Sequence, residues 1–236
     1  MNLHEMRKAM RAAASVEAAA GSQRFFKTGP GEYGEGDKFL GLKVPEVRAF
    51  VKESDAFTEE EVLILLRSEW HEERLLALQI LVRRFEKAKL DKITREQLVE
   101  FFLTNTASIN NWDLVDSSAP YILGVWLLTN DRGILRKLAK SQNLWERRIS
   151  VVATQTFIRA GQFDDTLELV RVLLTDKHDL MHKACGWMLR EVGKKDQSVL
   201  VSFLNEHAPQ MPRIMLRYAI ERFPEPDRLS YLRAKR

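Results

Sequence analysis

Two stretches of the chain show most plainly how it buries its apolar side chains. Over Glu69–Phe85, the residues Leu75, Leu78, Ile80, Leu81, Val82 and Phe85 fall largely on one side of a helix, with Arg74, Arg83 and Arg84 elsewhere. Over Trp145–Ala160, Ile149, Val152, Ala153, Thr156 and Phe157 recur at three- and four-residue steps, which predicts one helix there. Alternation of period two is nowhere sustained over the length of a strand. Thr58 with Glu61, and Thr94 with Gln97, each fit a capping box, and Pro45 suits the first turn of a helix. The pattern predicts an all-α chain of about a dozen helices.

Glycine and proline sharpen this picture. Five of the eleven glycines lie between Gly29 and Gly41, whereas Glu46 to Ala119 contains neither glycine nor proline. So long an unpunctuated run, rich in Leu, Glu, Arg and Ala, favours helices. A polar or basic group opens a strongly apolar helix near Arg74, near Asp113–Asp116, at Arg148 and at Lys183. These intervals, roughly 35–42 residues, have the period of paired-helix HEAT-type repeats. One pair cannot bury its own apolar face, so pairs stack, and the expected fold is a curved α-solenoid of HEAT-like paired-helix repeats. We read residues 1–236 as a single domain, with N-terminal helices and a glycine-rich loop over 1–44 leading into repeats over 45–236.

Composition mainly excludes. Of 236 residues, 45% are hydrophobic and 30% charged, an ordinary globular balance that argues against disorder. The lone Cys185 excludes a disulfide framework and suits a reducing cytoplasm, the expected location being the bacterial cytosol or nucleoid. One cysteine and five scattered histidines do not make a structural zinc site, and no metal is expected. No apolar run approaches the roughly 18 residues of a membrane span. Arg11 and Glu17 interrupt the alanine-rich start, which reads as an amphipathic helix rather than a signal peptide. The net charge is +4, and all of it resides in Pro209–Arg236, where seven basic residues face three acidic ones. Residues 1–208 balance at 30 of each. Nucleic-acid binding is therefore permitted by charge but decided by which surface each charge occupies.

Several segments carry candidate chemistry. Gly29-Pro30-Gly31-Glu32-Tyr33-Gly34 matches G-x-G-x-x-G, but Pro30 and the acidic Glu32, Glu35 and Asp37 favour a plain loop over a phosphate cradle. His178 and His182 could share a helix face without a third ligand. His71-Glu72-Glu73-Arg74-Leu75 lacks the second histidine of a zinc helix. Asn111 can cap a helix opening at Trp112, with Asp113 placed for its N-terminal dipole. Asp116 fits that account less well, because Asp is a poor interior helix residue. A carboxylate beside an aromatic ring can instead stabilise a developing cation, so both a structural and a catalytic reading of Asp116 stay open. Asp113 and Asp116 could also hold a metal, as in a nuclease. Gly186, inside a helix, predicts close approach by a neighbouring helix or a ligand.

Together these residues resemble the AlkD-type DNA alkylation repair enzymes, HEAT-like-repeat alkylpurine DNA glycosylases. The resemblance runs over about residues 20–195. It rests on Trp112-Asp113-Leu114-Val115-Asp116-Ser117, Asn143-Leu144-Trp145 with Arg148, Ala184-Cys185-Gly186-Trp187-Met188-Leu189-Arg190-Glu191, and Gly36-Asp37-Lys38-Phe39-Leu40-Gly41 with Val44-Pro45 and Arg48. It implies that Asp116 is the catalytic carboxylate, that Trp112 and Trp187 flank the damaged nucleotide, and that Arg148 contacts the DNA backbone. Arg74, Lys183, Arg190 and the basic C-terminal segment are further phosphate-contact candidates. The implied reaction removes cationic N3- and N7-alkylated purines from double-stranded DNA, leaves an abasic site, and need not flip the base. The implied protein is a monomer, needs no cofactor and binds no membrane. Where some members present a tyrosine on an early helix, this chain has Phe25-Phe26. The alternative is a non-catalytic HEAT-repeat module that binds nucleic acid or protein.

Overall fold

A computed structural model describes residues 1–233; Lys235 and Arg236 of the basic C-terminal segment lie outside the described residues. Among those described there is no β-strand, only an isolated bridge between Lys38 and Trp70. The chain is all-α, as its patterning predicts, and is built of packed helix pairs. Its packing divides it into two compact units, Met1–Ser118 and the part from Ala119 onward.

The first unit contains α1 (Leu3–Ala12), α2 (Val16–Phe25), α3 (Val44–Val51), α4 (Glu59–Leu66), α5 (His71–Lys87), α6 (Lys92–Thr104) and α7 (Trp112–Asp116). The second opens with a π-helical turn over Pro120–Gly124. It continues through α8 (Gly133–Ala139), α9 (Leu144–Ala153), α10 (Gln155–Arg159), α11 (Asp164–Leu173), α12 (Asp179–Lys195), α13 (Gln197–His207), α14 (Arg213–Ala219) and α15 (Glu225–Arg233).

Helix starts follow side-chain chemistry, with two corrections. Thr58 and Glu61 form the expected reciprocal box, and Pro45 sits in the first turn of α3. Thr94, however, does not cap a helix. Asp91 does, its carboxylate accepting from the Thr94 amide and hydroxyl, so α6 begins earlier. The single helix expected over Trp145–Ala160 is two, α9 and α10, parted at Thr154. There the Thr154 hydroxyl donates to the Val151 carbonyl at 2.6 Å and its amide turns to the same carbonyl, tightening the turn. The apolar spacing runs on through the break and therefore hides it.

Within each unit, polar contacts link residues about one repeat apart. Arg67–Asn105 and His71–Asp113 do so in the first unit; Arg132–Asp165, Arg147–Asp176 and Arg171–His207 do so in the second. Contacts at this spacing are what stacked helix pairs produce. The helix α5 is the most extensively buried of the first unit, and α12 turns a buried face into the core of the second. Residues 71–78 of α5 are all buried, and Met181, Ala184, Cys185, Met188 and Leu189 fill the inner face of α12. Close approach at Gly186 is explained by a neighbouring helix. A Cβ there would lie 2.5 Å from the Met215 carbonyl oxygen and from Tyr218 Cβ of α14.

Candidate functional site

The helix α7 is one turn long, too short to hold itself together. It is held by its surroundings. Leu114 and Val115 are fully buried, the Asn111 side chain accepts from the Trp112 amide at 2.8 Å, and the Ser118 hydroxyl donates to the Leu114 carbonyl at 2.6 Å. From α5, Gln79 donates to the Ser117 carbonyl at 3.3 Å. Trp112 and Asp116, one turn apart on α7, both remain partly exposed. Phe26 stacks on the Trp112 ring at 5.3 Å, and Phe25, 65% exposed, meets it edge-on at 5.8 Å.

Beneath Trp112 lies a buried charge cluster at the start of α5. His71 Nε2 is 2.8 Å from Asp113 Oδ2, and His71 Nδ1 is 3.5 Å from Asp37 Oδ2. Arg74 Nη2 lies 2.7 Å from Asp37 Oδ1, and Asn110 and Asn111 also donate to Asp37. Phe39 stacks on the imidazole at 4.6 Å and Phe26 tilts over it at 4.9 Å. Burial alone would favour neutral imidazole, but the hydrogen bonds to Asp113 and Asp37 outweigh it and push His71 up to about 9. Burial likewise opposes ionised Asp37, yet the His71 hydrogen bond and the Arg74 charge hold its carboxyl below the usual range. His71 is thus a cation between two carboxylates.

The neighbouring acids fasten the surrounding backbone. Glu72 accepts the Leu40, Gly41 and Leu42 amides at 2.9, 2.8 and 3.2 Å. Glu73 pairs with Arg7 and Arg11 of α1. Gly41 has φ +82° and no room for a Cβ, which would meet the Ser15 carbonyl oxygen at 2.4 Å. The glycine-rich loop is a loop whose own acids occupy its amides: Glu32 takes the Gly29 N–H and Glu35 the Gly31 N–H.

In the second unit, Trp187 projects from α12 half-buried, its indole N–H donating to Glu191 at 3.2 Å. Lys183 lies one turn before it on the same face and is half-buried. Arg190 is paired with Glu221 and Glu191. Arg148, on α9, is 5% exposed, and its Nη1 donates to the Leu180 carbonyl at 2.7 Å. Trp145, at 8% exposure, is a core residue. His178 caps α12 through its Nδ1, which accepts from the Leu180 amide, and His182 bonds the Asp176 carbonyl. Both histidines are structural.

Within the units, then, Trp112 and Asp116 come together on α7, and Lys183, Trp187 and Arg190 come together on α12. Arg74 is a correction. Its guanidinium, 4% exposed, is committed to Asp37 and to the Ser68 carbonyl, because a buried cation requires partners, and it is an internal strut rather than a phosphate contact. Asp113 is committed to His71, so it does not form a carboxylate pair with Asp116. Among the described residues no three His, Cys, Asp or Glu side chains come together as a metal site requires. Three residues central to the geometry, Phe26, Asp37 and His71, carry no such role in the sequence reading. Their signal is four consecutive ionisable residues, His71 to Arg74, at the head of a strongly apolar helix, which forces buried charge pairing.

No described helix is long and apolar enough to cross a membrane. Comparison with curated proteins finds no match. A family model for DNA alkylation repair enzymes matches residues 6–223. The fold is similar to that of a solved structure described as a predicted DNA alkylation repair enzyme from Enterococcus faecalis. The TM-score is 0.71 at 19% identity, covering 90% of this chain and 97% of that one.

Proposed function

The chain belongs to the DNA alkylation repair enzyme family, and we propose that it is a monofunctional DNA glycosylase releasing cationic N3- and N7-alkylated purines from duplex DNA. The observation that carries this reading is the pairing of Trp112 with Asp116, both partly exposed on a one-turn helix that is clamped by its cap and by the fully buried Leu114 and Val115. A carboxylate and an indole held partly exposed side by side on so constrained an element suit a reacting centre better than a packing role.

Alkylation at N3 or N7 makes the purine cationic. When the C1′–N bond breaks, the base takes both bonding electrons and leaves neutral, so no general acid need protonate it. What remains is an oxocarbenium-like sugar. Asp116 supplies opposing charge and orients the water whose oxygen bonds to C1′, with the water's proton passing to the carboxylate or to solvent. The ring face of Trp112, on the same helix as Asp116, stabilises the electron-poor sugar, and Trp187 is the second aromatic that the family resemblance assigns to the reaction. Arg148 and Lys183 grip phosphates. Lys183, half-buried on α12, is the more accessible of the two; Arg148, 5% exposed and bonded to the Leu180 carbonyl, and Arg190, already paired with two acids, contribute less. Neutral lesions are poor substrates, since none of these groups activates their leaving base.

The test is release of 3-methyladenine and 7-methylguanine from methylated duplex DNA in single turnover. Asp116→Asn should slow release by about 100-fold or more, with binding to undamaged duplex little changed. Equal release by both proteins overturns the assignment of Asp116. No release by the unaltered protein overturns the glycosylase reading and leaves a binding module.

A further inference from the structure

We propose that His71 is a positioning residue for the candidate reaction, holding α7 through Asp113 so that Trp112 and Asp116 keep a fixed orientation. The proposal rests on the glycosylase reading, and its tests separate the two.

The geometry supports a latch rather than simple packing. His71 of α5 bonds a side chain of α7 directly, at 2.8 Å to Asp113 Oδ2. Asp113 neighbours Trp112 in sequence and lies three residues before Asp116. A five-residue helix has no cooperative stability of its own, so the orientation of its side chains is set by what pins it. On its other edge the imidazole faces Asp37, which Arg74 and the two asparagines hold in place. Rings close both sides of the cluster, and Phe26 lies against the imidazole and the Trp112 indole alike. A change at His71 therefore reaches Trp112 by two routes, through Asp113 and through Phe26.

The charged groups around the imidazole are accounted for. Asp113 faces it from α7, Asp37 from the loop before α3, and Arg74 from its own helix. Glu72 is turned to the Leu40–Leu42 amides and Glu73 to Arg7 and Arg11. Two carboxylates against one imidazolium and one guanidinium leave the cluster balanced while His71 is protonated. Loss of that proton leaves an excess negative charge beside Asp113. The linkage to α7 then weakens, and base release should fall as pH rises through about 9.

Two measurements decide it. By NMR, the His71 ring should titrate well above an ordinary histidine, and the Trp112 and Asp116 backbone amides should shift with the same midpoint. Amides indifferent to that titration overturn the latch whatever the protein's activity. In single-turnover release from methylated duplex, His71→Ala should lower the rate about 10–100-fold, with duplex affinity unchanged. His71→Gln, which can still donate to Asp113, should recover most of the rate and lack the decline near pH 9. Equal losses for Ala and Gln, tracking lowered thermal stability, mean a purely structural residue, as does an unaltered rate in a folded His71→Ala protein. If the unaltered protein releases no base, the glycosylase reading falls, and the amide titration still decides the latch.

Discussion

His71 should make folding stability depend on pH on the alkaline side. Its folded value is about 9 against an ordinary 6.5. A raised value means that the added stability is fully present below about 6.5 and is lost as pH rises through 9. The shift corresponds to stabilisation on the order of 3 kcal/mol. Urea unfolding at pH 7 and pH 9.5 should therefore show a decline in the unaltered protein that is largely absent from His71→Gln. Parallel curves for the two proteins would contradict the charged-cluster account. Asp37 works in the opposite sense: its lowered value gives stability present above the ordinary carboxylate range and lost as pH falls through the folded value. The roles of single residues are only partly legible in the sequence. Trp112, Trp145 and Trp187 look alike there, and burial alone separates the core residue Trp145 from the half-exposed other two. Arg74 reads as a surface cation because Asp37, its partner, lies far back along the chain in a loop of no regular pattern.

At the level of elements, apolar spacing locates α5 and the span of α9 and α10, because packing against a core imposes that period. It does not locate α7. A one-turn helix has no period to detect, and what defines it is a cap, two buried residues and support from α5. Gly186 is a case where local propensity and packing disagree. Alanine is the better helix former by about 1 kcal/mol, yet its Cβ would press on the Met215 carbonyl and Tyr218 Cβ, both at 2.5 Å. One of these is backbone and cannot turn aside. The steric cost, about 1–3 kcal/mol, should prevail, so Gly186→Ala is expected to lower the thermal midpoint by several degrees. A midpoint at or above that of the unaltered protein would show that α12 and α14 separate without cost. Since Trp187 is the next residue, base release should fall in the same variant.

Across the whole chain, the division at Ser118 has no clear mark in the sequence. The glycine- and proline-free run ends at Ala119, beside that boundary, but helices pack across chemically uniform sequence and composition marks no unit edge. Charge is more informative. Residues 1–208 are neutral and the excess of four lies beyond them. Within that segment Arg213, Arg217 and Arg222 are solvent-exposed. If the protein grips DNA as proposed, these cations attract the backbone without reading a lesion, because phosphates are the same in damaged and undamaged duplex. Replacing all three with glutamine should therefore weaken binding to methylated and unmethylated duplex by one common factor. The slope of log affinity against log salt should become shallower by about 0.9 for each phosphate no longer neutralised. Release from fully bound DNA should be unchanged, since Asp116, Trp112 and Trp187 are untouched. A weakened preference for the methylated duplex would place these arginines at the lesion, and unchanged affinity would assign the whole grip to residues of the balanced part of the chain.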